Sequence, residues 1–198
     1  SLIAVELNNG GNVALLLGNL SQAELLTQES LRLSRDLGNQ VGTAYTLHTL
    51  GVIAWQQGNL AQATARFQEG LPLAQQQGHS TLIGWYLLGL ARVAATTQQF
   101  SQAARLFGAA SRWLDSSRHM HAIERSAYER DVAHLRGHLG EARFLAAWHA
   151  GQAMTPEQVF NDHHEAVFRF IYRLTRCTET AEDTQECFLA FMRAPDRW

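Results

Sequence analysis

The sequence has little of what builds disulfide frameworks, metal sites or membrane spans. Its 198 residues include two cysteines, Cys177 and Cys187, and no Cys-x-x-Cys pair. A disulfide framework or a zinc site is therefore not expected, and a reducing cytoplasm is the default location. No signal peptide is present, and no apolar run approaches roughly eighteen residues, so we predict no membrane partner.

The chain also lacks the features of an enzyme or a nucleic-acid binder. A formal net charge of −2 gives no basic surface, so contact with DNA is not expected. No phosphate loop, dinucleotide fingerprint or nucleophile elbow occurs, and Gly10-Gly11 follows a helical pattern rather than a strand. Cys187 is interpreted as a buried small hydrophobe. We predict a non-enzymatic protein without a cofactor.

Nine histidines raise the question of a metal site. His134 and His138 are four residues apart on one helical face, and His119 is close to His121. No acid lies between His134 and His138 as in a zincin motif, and a third ligand is missing. We predict solvated or core-edge histidines and no bound metal.

What the sequence does contain is a repeat with a forty-residue offset, from Gly11 to Ala110. The equivalent positions are Leu7, Leu47 and Leu87; Gly11, Gly51 and Ala91; Ala14, Ala54 and Ala94; Ala23, Ala63 and Ala103. The turns Gly18-Asn19-Leu20 and Gly58-Asn59-Leu60 are matched by Gln98-Gln99-Phe100. Such a period is typical of stacked repeats that bury their apolar faces against neighbours.

The spacing within each repeat predicts a helix hairpin. The predicted helices cover residues 2–17 and 20–37, 41–57 and 60–77, and 80–97 with Ser80 as N-cap, followed by a helix from Ser101. Small residues such as Gly51 allow close helix packing, and Phe67 and Phe107 are expected to fill the space between hairpins. Pro72 is expected to kink its helix or remove one hydrogen bond. Thr27 and Ser30 stand where the first repeat should be apolar.

This pattern resembles the tetratricopeptide repeat, which implies an all-α superhelical solenoid of about three hairpins. The longer spacing, the segment from Ala103 to Ala110, and Tyr128-Glu129-Arg130 resemble bacterial LuxR-like and AfsR-like regulators of the maltose-regulator type over residues 1–158. We assign repeats to 1–118, capping helices to 119–154 and an appended helical hairpin to 155–198. Because the chain begins at Ser1 within a helical pattern, we expect it to belong to a longer protein.

The appended segment opens with Thr155-Pro156-Glu157-Gln158, a capping-box arrangement. Its motifs Val167-Phe168-Arg169-Phe170, Tyr172-Arg173-Leu174 and Ala181-Glu182-Asp183 resemble the start of region 2 of extracytoplasmic-function sigma factors. The resemblance implies contact with core RNA polymerase through Asp183, Gln185 and Glu186. One residue fewer separates Asp183 from Gln185, which turns the following helix by about 100°. The alternative is a structural hairpin that docks on the solenoid or on a second copy, giving a homo-oligomer.

The resemblance to the tetratricopeptide repeat also implies a groove lined by the first helix of each hairpin. Its residues would be Asn8, Asn12, Tyr45, His48, Val52, Trp55, Trp85, Leu88 and Arg92. A surface of aromatic rings and amides would suit an extended peptide or a small effector. The alternative is that Trp55 and Trp85 pack between repeats.

Our leading hypothesis is a regulatory protein-interaction module of a bacterial transcriptional regulator. Its groove would bind a protein segment or an effector and pass that state to an attached transcription element. Two alternatives stay open. One is a small-molecule sensor domain with the appended segment as a dimer element, and the other is a sigma-like initiation factor with regulatory repeats.

Overall fold

The computed structural model describes residues 2–114, 122–154 and 158. These ranges contain eight α-helices and no strand, which confirms the predicted all-α fold. The helices are α1 (Leu2–Leu16), α2 (Leu20–Asp36), α3 (Gln40–Gln56), α4 (Leu60–Gln76), α5 (Ser80–Thr96), α6 (Phe100–Ser111), α7 (Ala122–Leu139) and α8 (Glu141–Gln152). They belong to one compact unit, Ser1–Met154, and the rest of the chain forms a second. Apart from Gln158, the predicted sigma-like hairpin lies outside the described residues.

The structural step is twenty residues, half of the sequence repeat. Helices α2 to α5 each have 17 residues and are joined by three-residue linkers. The middle residue of each linker has a left-handed backbone, and glycine supplies it at Gly18, Gly38, Gly58 and Gly78. Equal helices and equal linkers keep the forty-residue register constant along the array.

The residue after each linker glycine is the N-cap of the next helix. Asn19, Asn39 and Asn59 accept hydrogen bonds from the backbone N–H groups of Gln22, Gly42 and Gln62. The N-cap of α5 is His79, which makes no side-chain capping bond, and Ser80 is the first helical residue. The prediction of Ser80 as N-cap was therefore wrong by one residue, because Gly78 fixes the linker register.

In the linker between α5 and α6, the residue with the left-handed backbone is Gln98 instead of a glycine. Gln98 has a φ of 61°, and an L side chain in this conformation costs roughly 1–2 kcal/mol. Because Gln98 is exposed, we expect Gln98→Gly to raise the free energy of unfolding by about 1 kcal/mol after the entropy of glycine is counted. Gly58→Gln should lower it by a similar amount. Urea denaturation of both variants checks this, and a less stable Gln98→Gly protein would contradict it.

Proline does not end α4, which continues from Leu60 to Gln76 through Pro72. The ring lacks an N–H group, so the carbonyl of Gln68 loses its usual helical donor. The predicted helix is confirmed in spite of this loss, because the packing of Phe67, Gly70, Leu71 and Ala74 on both sides of the proline buries the helix.

Phe67 lies between two hairpins, as the sequence predicts. A Cβ atom on Gly51 of α3 would come within 2.3 Å of its ring, and one on Gly89 of α5 within 2.5 Å. Phe67 is completely buried between these two glycines. Glycine at both positions is therefore a packing requirement, because a methyl group would displace the ring.

Hydroxyl groups replace apolar packing in the first hairpin. Thr27 Oγ1 donates to the Ala23 carbonyl at 2.6 Å, and Ser30 Oγ donates to the Ala4 carbonyl at 2.6 Å. Ser30 Oγ also lies 3.2 Å from Thr46 Oγ1 of α3. These buried hydroxyls are satisfied, so the polar residues at apolar repeat positions tie α1, α2 and α3 together.

Beyond the third hairpin, α8 crosses α6 at very close range. A Cβ atom on Gly108 would lie 2.2 Å from the Trp148 carbonyl oxygen, and one on Gly151 1.8 Å from that of Arg105. Arg112 donates to the carbonyls of Gln152 at 2.9 Å and Met154 at 3.1 Å. Helix α8 therefore covers α6, with its C-terminal end held by a guanidinium group.

Candidate binding groove

The first helices of the three hairpins form one continuous face. Helix α3 contacts both α1 and α5, while each second helix packs against the first helices on either side of it. We call the predicted residues on this surface the groove face: Asn8, Asn12, Tyr45, His48, Val52, Trp55, Trp85 and Arg92. All eight are at least partly exposed.

One predicted member does not belong to this face. Leu88 is only 1% exposed and is part of the core. The repeat register places it level with Asn8 and His48, but tertiary packing buries it. Its assignment to the groove was therefore wrong, whereas Tyr45, at 39% exposed, offers the most accessible large ring of the set.

Trp55 and Arg92 connect α3 with α5. The guanidinium carbon of Arg92 lies 5.5 Å from the centre of the Trp55 ring, within the range of a cation–π contact. Trp55 Nε1 donates to Thr96 Oγ1 at 3.1 Å. Trp55 thus packs between repeats, as the alternative predicted, while part of its surface still lines the groove face.

Arg92 also reaches a residue that the repeat pattern did not identify. Its Nε atom donates to Asp131 Oδ2 of α7 at 2.9 Å. The ion pair places a carboxylate beside the guanidinium group and links α5 to α7 at this end of the groove face. Asp131 gave no sequence signal, because α7 lies outside the forty-residue register.

Aromatic rings enclose His48. Its ring centre lies 5.9 Å from that of Phe67, 6.4 Å from that of Trp85 and 5.4 Å from that of Tyr86. Burial lowers the pKa of His48 to about 4, and the positive charge of Arg92 acts in the same direction. His48 is therefore neutral at physiological pH, and it contributes a polar ring to the groove wall.

Tyr86 closes the floor beneath this cluster. Its hydroxyl donates to the Ala44 carbonyl of α3, and burial raises its pKa well above the ordinary value for tyrosine. Gly70 of α4 lies against the same hydroxyl. The floor is thus fixed to α3, α4 and α5 at once.

Amides and hydroxyls line the end of the face nearest α1. Thr49 Oγ1 of α3 donates to Asn12 Oδ1 at 3.3 Å, which connects the first two hairpins. At the opening of α3, the ring of Tyr45 meets that of His79 edge-on at 5.5 Å. Hydrogen-bonding groups and exposed aromatic surface therefore occur on one face.

The groove helices are almost uncharged. Along their whole length, α1, α3 and α5 carry one carboxylate, Glu6, and one guanidinium, Arg92. Charged side chains instead collect on second helices such as α2, where Arg32 pairs with Glu29 and Asp36. A partner on the groove face would therefore meet little fixed charge.

Histidines of α7 pack around the ring of Phe100. His138 stacks on Phe100 with ring centres 4.2 Å apart, and His134 lies 4.4 Å from His138. Both histidines are exposed. Within residues 2–114 and 122–154, no three His, Cys, Asp or Glu side chains are grouped so that they could hold a metal ion.

Several other predicted residues lie outside the described ranges. These are His119, His121, Cys177, Asp183, Gln185, Glu186 and Cys187. Among the helices that the structure does describe, none combines the length and the apolar character needed to cross a bilayer.

A family model described as "Tetratricopeptide repeat" matches residues 3–76. The match covers α1 to α4 and supports a tetratricopeptide-repeat domain. Helix hairpins that share an inner face are typical of this class. No curated protein and no solved structure matches the chain. Helices α5 and α6 continue the same linkers and register beyond the matched residues. Such repeats generally mediate protein–protein interactions.

Proposed function

We propose that the groove face binds an uncharged peptide segment of a partner protein. The observation that carries this proposal is the near absence of charge on α1, α3 and α5, combined with exposed rings and hydrogen-bonding amides. A peptide backbone can exchange hydrogen bonds with side chains such as Asn12, while its apolar side chains bury aromatic surface. The affinity would then depend on the buried apolar surface area and on hydrogen bonds more than on charge.

A peptide is favoured over a small effector by the way these groups are distributed. Asn8 and Asn12 lie on α1, Tyr45 on α3 and Trp85 on α5, so the groups that would bind are spread across three helices. The enclosed ring cluster around His48 favours the effector alternative instead. A peptide should require both Tyr45 and Asn12, whereas an effector held by the ring cluster should depend on Trp85 and be indifferent to Asn12.

The experiment is a comparison of peptide affinities by fluorescence anisotropy. Peptides selected from a random library should be poor in Asp, Glu, Lys and Arg, and their Kd should change less than about twofold between low and high salt. We expect Tyr45→Ala to weaken binding about tenfold or more, because an exposed ring at an interface contributes strongly. Leu25→Ala is the matched control, since Leu25 is exposed on α2, away from the groove face.

A steep salt dependence, or equal binding by the Tyr45→Ala and wild-type proteins, would contradict this proposal. Loss of binding in the Leu25→Ala protein would place the peptide on the outer helices. The Tyr45 variant should keep its stability, because the described ring contact of Tyr45 is the one with His79.

We further propose that this non-enzymatic module belongs to a bacterial transcriptional regulator in the cytoplasm. The support is the resemblance of residues 1–158 to LuxR-like and AfsR-like regulators and of residues 159–198 to sigma region 2. On this proposal, occupancy of the groove would favour one state of the array and so change the behaviour of the attached segment. Such coupling requires different affinities of the peptide for the two states.

Capture of purified core RNA polymerase tests that context. We expect the full chain to retain the polymerase, and a chain ending at Ala153 or an Asp183→Ala, Glu186→Ala protein to lose it. The acidic residues are the ones whose position in the sigma resemblance implies polymerase contact. Equal retention by all three proteins, or by none, would contradict a sigma-like role and leave the groove proposal untouched.

A further inference from the structure

The exposed apolar side chains of the described residues are concentrated at one end of the array. All but one of the large hydrophobic side chains that are exposed belong to residues 2–37, which form the first hairpin and its linkers. Four exposed residues of α1 follow helical spacing and lie on one side of the helix: Leu2, Glu6, Asn9 and Val13. We call these four the α1 stripe.

In the next two hairpins the equivalent side is covered. Val13 is 56% exposed, whereas its equivalents Ile53 and Val93 are 1% and 9% exposed. The equivalents of Glu6, which are Thr46 and Tyr86, are also buried, and so are those of Asn9, which are Thr49 and Gly89. The α1 stripe is therefore the one side of this kind, within the described hairpins, that stays open to solvent.

The covering element in the later hairpins is the second helix of the preceding hairpin. Ser30 of α2 touches Thr46 of α3, and Gly70 of α4 touches Tyr86 of α5. Ser30 and Gly70 are themselves forty residues apart, so the two contacts are the same contact repeated. By this register, Glu6 should meet a small side chain at the position of Ser30 and Gly70.

We propose that the α1 stripe binds a further helix hairpin of this array, connected to α1 by a linker like those before α3 and α5. The second helix of that hairpin would pack against α1 in the way that α2 packs against α3. A serine at the position of Ser30 would donate its hydrogen to the carbonyl at the position of Ala4, as Ser30 does, and its small side chain would leave room for that of Glu6.

A second copy of the chain fits the α1 stripe less well. Pairing two stripes about a two-fold axis would bring two Glu6 carboxylates into one apolar interface, which is unfavourable.

The test extends the chain with its own repeat. A duplicate of residues 1–40 is placed directly before Ser1. Each residue of the copy then precedes its original by forty residues, which is the repeat offset, so the register continues. The duplicate Ser30 faces the original Glu6, and the duplicate α1 is as exposed as the original was. Slower amide hydrogen exchange in the original α1 therefore reports the new contact with the α1 stripe, whereas the overall stability also includes the internal packing of the added hairpin.

We expect one cooperative urea transition with a higher midpoint, and amide hydrogen exchange in the original α1 slowed about tenfold or more. Val13→Asp is the matched variant. It should shift the midpoint little in the unextended chain, where Val13 is exposed, and strongly in the extended one.

Two outcomes would overturn the proposal. The first is a separate unfolding transition for the added hairpin, with unchanged exchange in α1 and an equal effect of Val13→Asp in both chains. The second is a dimer of the unextended chain, by sedimentation, that Val13→Asp dissociates, since this would make a second copy the occupant.

Discussion

Gly151→Ala is expected to lower the free energy of unfolding by about 3 kcal/mol or more and to release α8 from the array. The added methyl group would lie 1.8 Å from the Arg105 carbonyl oxygen and 2.9 Å from the backbone nitrogen of Ala109. Both neighbours are main-chain atoms of α6, so no side-chain rotation can relieve the overlap. The two helices must separate, and the packing between α6 and α8 is lost.

Gly137→Ala provides the matched control for this change. Gly137 also lies inside a helix, α7, but a Cβ atom there would meet nothing within 4 Å. Alanine should therefore stabilise the protein by about 0.5–1 kcal/mol through its helix propensity. Urea denaturation compares the two proteins, and amide hydrogen exchange should show α8 opening in the Gly151 variant alone. Similar stabilities for both variants would contradict the close crossing.

The second large effect is a loss of stability in acid that depends on His48. Its pKa is about 4 in the folded protein, below the ordinary value of 6.5, so the unfolded chain binds the proton more readily. The stabilisation is present above pH 6.5 and is lost as the pH falls towards 4. A difference of this size corresponds to about 3 kcal/mol at most.

His48→Leu isolates this contribution. The third hairpin carries Leu88 at the equivalent position, so leucine suits the register, and eight other histidines and all acids stay unchanged. We expect stability near pH 7 to change little and the loss between pH 6.5 and 4 to be smaller than in the wild type. Urea denaturation at several pH values gives both curves. Parallel curves would show that His48 is not the group that resists protonation.

The sequence predicts the array well because small residues recur at the forty-residue offset. Gly51, Ala54 and Ala63 recur where helices must approach, and Phe67 was expected between hairpins, where it lies against Gly51 and Gly89. The helix bounds follow from the linker glycines. Ser80 was predicted as an N-cap because serine is a common capping residue. The linker register places His79 at that position instead.

The groove was predicted less completely, for reasons of tertiary packing. Exposure of Tyr45 and burial of Leu88 cannot be read from a register that treats both as inner-face positions. The ion pair between Arg92 and Asp131 joins two helices that share no repeat. The environment of His48 depends on rings from α4 and α5, which periodicity alone does not bring together.

The most direct measurement of the proposed function is a map of the bound peptide by the indole N–H signals of tryptophan in NMR spectra. Trp55 and Trp85 lie on the groove face, while Trp113 and Trp148 lie near the α6–α8 end. With an uncharged library-selected peptide, we expect the signals of Trp55 and Trp85 to shift and those of Trp113 and Trp148 to stay. Shifts confined to Trp113 and Trp148 would contradict a groove formed by α1, α3 and α5.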